Sequence, residues 1–77
     1  TLEGLLQLTE QQFDRDFAGS PVRRAGWAGL IRNACVALGN LGRGGPALSK
    51  VAQTHPDEMV REHAKWALEQ LDQAKNS

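Results

Sequence analysis

Apolar positions along the chain recur at helical spacing, and no stretch sustains the alternation of a half-buried strand. Leu2, Leu5, Leu6 and Leu8 predict a helical turn or two at the start. Thr9, with Gln12 three positions on, has the spacing of a capping box and opens a helix that puts Phe13 and Phe17 on one face. Gly19, Ser20 and Pro21 break that helix, and Ser20-Pro21 starts another, serine as cap and proline at the first helical position. Gly26 and Gly29 can bend or interrupt this second helix, so its clear portion is expected from Ala28 to Leu38. Asn40 is expected to cap its C-terminal end after Gly39, and residues 40–45 to form a glycine-rich loop. Pro46 opens a short helix to about Thr54, which His55-Pro56 ends because a residue before proline leaves the helical region. Asp57 caps a last helix running to about Asp72, and residues 73–77 fray.

Laid over each other at an offset of 30, the two long helices share Ala34/Ala64, Ala37/Ala67, Leu38/Leu68 and Leu41/Leu71, with Leu30/Val60 similar. These positions trace one helical stripe. Paired alanines let two helix axes come close. A shorter helix ahead of each longer one describes stacked helical hairpins, in which a unit buries its apolar face only against the next. The boundaries predicted are an N-terminal helical segment over 1–18, a first repeat over 19–45, a second over 46–72 and a tail over 73–77.

Composition narrows the partners. With 77 residues the chain makes one thin domain, and Cys35, its only cysteine, excludes an internal disulfide and an all-cysteine metal or iron–sulfur site. No apolar run is long enough to span a bilayer and no secretory start is present, so the expected compartment is the cytoplasm. Thr1 already stands inside an apolar pattern, which reads as a segment of a longer protein. The formal net charge is zero, but it is segregated: −3 over residues 1–16, +5 over 17–56 with no acid at all, and −2 over 57–77. A basic block between acidic flanks points to an anionic partner.

Within that block Arg23 and Arg24 sit just inside the Ser-Pro helix start, where free amides favour an anion and guanidinium groups can grip phosphate. The competing reading is a solvated surface pair. Arg32 lies off the apolar stripe, either on the same surface or in a salt bridge to an acidic flank. Arg43 and Lys50 are further phosphate candidates, while Gly42 to Gly45 has the wrong spacing for a P-loop. Trp27 reads as a capping or domain-contact residue, with stacking on a splayed base as the alternative. Asn33 is placed for a polar contact with a neighbouring helix or domain. Trp66 reads as packing, Cys35 as a buried small hydrophobe, and the last helix's Glu62 and Lys65 as a solvated pair. His55 and His63 lack partners at ligand spacing, so no metal is assigned. No constellation of catalytic groups stands out.

The second unit, Asp57-Glu58-Met59-Val60-Arg61-Glu62-His63-Ala64-Lys65-Trp66-Ala67-Leu68, resembles the HEAT-like repeat of phycobilisome-lyase-type proteins. The first unit, Gly19-Ser20-Pro21-Val22-Arg23-Arg24-Ala25-Gly26 followed by Gly29-Leu30-Ile31-Arg32-Asn33-Ala34 and Val36-Ala37-Leu38-Gly39-Asn40, resembles the C-terminal region of epoxyqueuosine reductase; the likeness covers roughly residues 5–71. Trp27 departs from it, standing where a basic residue is expected. The resemblance implies an all-α fragment of a right-handed α-solenoid with about five helices. It also implies a parent oxidoreductase that uses cobalamin and two four-iron, four-sulfur clusters on the anticodon region of tRNA. No cofactor falls to this segment, whose implied role is to hold the tRNA beside the catalytic domain of the same chain. The alternative is a HEAT-like scaffold of an iron–sulfur protein that docks on the catalytic domain or another protein through Trp27 and the Leu2–Leu8 segment, with no nucleic-acid contact.

Overall fold

A computed structural model describes residues 1–16 and 23–75, and the side chains of 1–16 and 26–73. The described residues are all-helical: α1 (Leu2–Leu5), α2 (Glu10–Asp16), α3 (Arg23–Leu41), α4 (Gly45–Thr54) and α5 (Glu58–Lys75). Phe17, the break at Gly19 and the Ser20-Pro21 start lie outside the described residues, as do Asn76 and Ser77.

Local signals place most helix ends. The capping box forms reciprocally, the Thr9 amide donating to Gln12 Oε1 at 2.9 Å and the Gln12 amide to Thr9 Oγ1 at 3.1 Å. Asp57 Oδ1 accepts the Val60 amide at 3.1 Å and starts α5, which runs on to Lys75, past the expected end at Asp72. Two expectations are corrected. Gly26 and Gly29 do not interrupt α3, since packing along the whole helix outweighs their poor propensity. Asn40 is not its cap: the helix continues to Leu41, and the amides of Gly42 and Arg43 reach back to the Leu38 carbonyl at 2.9 and 3.2 Å. That turn requires Gly42 at φ 72° and is followed by Gly44 at φ 86°, conformations glycine adopts without steric cost.

The long helices run parallel. Near their N-terminal ends the Trp27 ring stacks on His55 with centroids 4.4 Å apart, and further along Gly39 lies against Ala67. Helix α4 runs antiparallel to α5, with Gly45 beside Leu71 at one end and the His55 carbonyl accepting Arg61 Nη1 at 2.6 Å at the other. Helices α1 and α2 lie against α3. This elongated body, 46 × 23 × 15 Å, has one core: Ile31, Cys35 and Leu38 of α3, Leu48 and Val51 of α4, Val60, Ala64 and Ala67 of α5, with Leu6, Phe13, Trp27 and Ala34.

The stripe on α5 is the expected one, but on α3 it is rotated. Leu41, expected inside, is 59% exposed, whereas Ile31, off the expected line, is fully enclosed beside Cys35, whose burial was expected. Helix α3 packs against α1 and α2 as well as α5, so its buried arc is wider than the single seam a pairwise comparison assumes. A close approach also lies outside the paired alanines: a Cβ added at Gly39 would stand 3.0 Å from the Ala67 Cα.

Candidate functional site

The expected phosphate-binding residues fall at separate places. Arg23 and Arg24 are the first two residues of α3, and their side chains are outside those described. Arg32 is exposed on α3 and makes no ion pair among the described residues. Lys50 is exposed on α4, likewise without an ion pair among them. It borders a groove shared with Glu3, Gln7, Gly44, Pro46 and Ala47. Arg43, at the mouth of α4, is not bare: its Nε lies 3.3 Å from Glu3 Oε2, so an acid of the N-terminal segment already answers its charge. Arg32 lines neither of the grooves that Lys50 borders. Arg43 and Lys50 thus stand on either side of Glu3 and Gly44, whereas Arg32 borders a different part of the surface. Asn33, beside Arg32, is exposed and points off the buried arc.

Trp27 is corrected outright. It is 6% exposed, its indole N–H donates to the Leu8 carbonyl at 2.8 Å, and its ring stacks on His55. A ring enclosed by its own chain is no platform for a base and no anchor for another domain. The Leu2–Leu8 segment is committed in the same way, Leu6 being buried and Leu2, Leu5 and Leu8 packed against the core. His55 is structural too: its Nδ1 accepts the Asp57 amide at 3.1 Å, which fixes the turn between α4 and α5.

Cys35 sits in the α3 core with no exposed surface, and burial pushes its thiol up from 9.0 to about 11. Desolvation penalises the thiolate, which is the reactive form. Alkylation of native chain at pH 8 is expected to proceed only through unfolding, so the labelling rate should rise with urea in step with the loss of helical circular dichroism; rapid labelling without urea would contradict the burial. Burial also sets the sign of the pH effect. Between pH 9.0 and about 11 the unfolded chain releases this proton and the folded chain keeps it, so stability falls as pH rises through that window.

A surface that sequence reasoning missed lies along the outer side of α3 and α5. Val36, Glu62, His63 and Trp66 line an open groove of about 400 Å³. Trp66, read from the sequence as packing, is 38% exposed, and Met59 is 58% exposed. The signal was present: Met59, His63 and Trp66 fall at i, i+4 and i+7, a second face of α5 about a third of a turn round from the stripe that begins at Val60.

Among the described residues no three His, Cys, Asp or Glu side chains gather as metal ligands, and no helix is long and apolar enough to cross a membrane. No protein-family model matches the chain, and no solved structure matches it significantly. Curated relatives do. The chain is 42% identical over 69 residues to an epoxyqueuosine reductase of Pseudomonas aeruginosa, a match covering 87% of the chain and 19% of the relative. It is 40% identical over 70 residues to that of Shewanella oneidensis (86% and 18%) and 39% identical over 72 to that of Xanthomonas campestris pv. campestris (91% and 20%). It spans about a fifth of the length of these relatives.

Proposed function

Given that the chain matches one segment of epoxyqueuosine reductases, we propose that it is the C-terminal, tRNA-holding module of such an enzyme and serves queuosine modification in the cytoplasm without performing chemistry itself. The observation that carries this is a basic stretch without a single acid between residues 17 and 56, in which Arg32 and Lys50 stand exposed with no ion pair among the described residues. Arg23 and Arg24 join them as phosphate contacts, and Arg43 does so only by exchanging Glu3 for phosphate. Phosphate contacts set register and affinity while carrying no sequence information of their own. The parallel α3 and α5 support two HEAT-like units: α2 stands ahead of α3, so the first unit draws its shorter helix from the expected 1–18 segment rather than from within 19–45, and the second pairs α4 with α5, which runs to Lys75, beyond the expected bounds of 46–72.

The cofactors belong to the rest of the parent. A four-iron, four-sulfur cluster takes four thiolates, and this segment has one cysteine, enclosed in the core. Its residues do not fit such a cluster, and cobalamin falls with the clusters to the catalytic domain. The scaffold alternative loses the surface first assigned to it, because Trp27 and Leu6 are buried within the chain.

Titrating the chain with tRNA at several salt concentrations tests the proposal. Affinity should fall steeply with salt, by a slope of about −0.7 to −0.9 for each phosphate neutralised. Arg32→Gln should weaken binding several-fold and flatten that slope by about one contact. Weak binding indifferent to salt would overturn it.

A further inference from the structure

We propose that the groove between α3 and α5 receives one unpaired nucleobase, stacked on Trp66, with Arg32 at the phosphate that carries it. The inference rests on the RNA-binding reading above and adds to it the class of element bound: a loop or single strand rather than a duplex.

Four features converge there. The inner edge of Trp66 lies against Gly39, where any side chain would collide with its Cζ3, so the indole has a fixed seat and leaves its outer part open. Half-buried Val36 supplies an apolar wall beside it. His63 Nδ1 lies 2.7 Å from the Met59 carbonyl, and since a carbonyl only accepts, Nδ1 carries the proton. In the neutral ring that makes Nε2 an acceptor, suited to the N–H edge of a base. Finally, Arg32 stands one turn before Val36 on the same face of α3, about 6 Å along the axis, exposed and without an ion pair among the described residues. The carboxylate in the groove is not bare, because Lys65 Nζ lies 3.5 Å from Glu62 Oε1.

A protein partner fits less well. Val36, Met59 and Trp66 form a narrow apolar seam interrupted by the charges of Arg32, Glu62 and Lys65, whereas a stable protein interface buries on the order of 1,200–2,000 Å² around an uncharged centre. A base needs only one open ring face, one acceptor and one cation. A duplex keeps its bases stacked and offers none to the indole; an unpaired loop does.

The test compares an RNA hairpin with an unpaired loop against a fully paired duplex of the same length, at one salt concentration. The hairpin should quench the emission of the exposed indole and the duplex should not. Trp66→Ala should weaken hairpin binding about tenfold and duplex binding by less than about twofold, with Trp66→Phe restoring most of the loss. Because Trp66 also seats on Gly39, urea unfolding accompanies each variant, and His63→Ala, which spares that contact, should erase part of the hairpin preference. Equal losses on hairpin and duplex, or no quenching by the loop, overturn the base slot and leave phosphate binding standing. A wild-type chain that binds neither RNA overturns both.

Discussion

Gly39→Ala lowers the stability of the chain by about 1–3 kcal/mol, although alanine is the better helix former. The reason is a close approach of α3 to α5. A methyl at Gly39 would stand 2.9 Å from Trp66 Cζ3, 3.0 Å from the Ala67 Cα and 3.1 Å from its Cβ. The tryptophan ring can swing away, but the Ala67 contacts belong to or adjoin the backbone of α5, so the helices must separate and thin the packing around Leu38 and Ala64. Gly29 on the same helix provides the control, because a Cβ there meets nothing within 4 Å. Gly29→Ala is expected to stabilise by up to about 1 kcal/mol through helix propensity alone. Urea unfolding of the two variants should therefore move the midpoint in opposite directions. A stabilised Gly39→Ala would mean that the helices are not seated as described.

The larger loss is expected at Trp27. Truncation to alanine removes a ring buried between Leu8, in the α1–α2 connection, and His55 of the α4–α5 turn, costing about 3–5 kcal/mol, and strips the Leu8 carbonyl of its 2.8 Å donor. A chain of this size has total stability on the order of 5–10 kcal/mol, so Trp27→Ala should be largely or marginally unfolded at 37 °C. Trp27→Phe keeps most of the ring and loses the hydrogen bond, for a smaller cost of about 1–2 kcal/mol. Thermal unfolding followed by circular dichroism separates these from a binding role. If Trp27→Ala left the melting curve in place and altered only an interaction with another molecule, the buried position would be refuted.

These two residues show how far a single sequence carries. Capping at Thr9 and Asp57, the stop at His55-Pro56 and the apolar stripe of α5 were legible because each is a local rule: a side chain reaching its own backbone, or a period matched to the helix. The close approach at Gly39 was legible only in kind. The offset of 30 singled out alanines as small residues that let the axes come close, but it compared equivalent positions and did not say which residues meet across the contact; the packing puts Gly39 against Ala67. The candidate site was least legible. Composition located the cations in the chain, yet whether Arg43 is bare or answered by Glu3 depends on where α1 lands. The tryptophans were legible in part: Trp27, read as a capping or domain contact, is enclosed by its own chain, and Trp66, read as packing, seats on Gly39 but is 38% exposed.

From its amino acids alone this chain determined helical content, the starts of α2 and α5 and the bounds of α4, the block of positive charge and the family whose segment it matches. Each comes from spacing within a turn or two, or from composition. Which face of α3 is covered, which tryptophan meets solvent and which arginine keeps its charge free were decided only by the packing of α1, α2 and α5 around α3. Burial there is a property of neighbours far apart along the chain, and a helix packed against several others has no single apolar stripe to announce it.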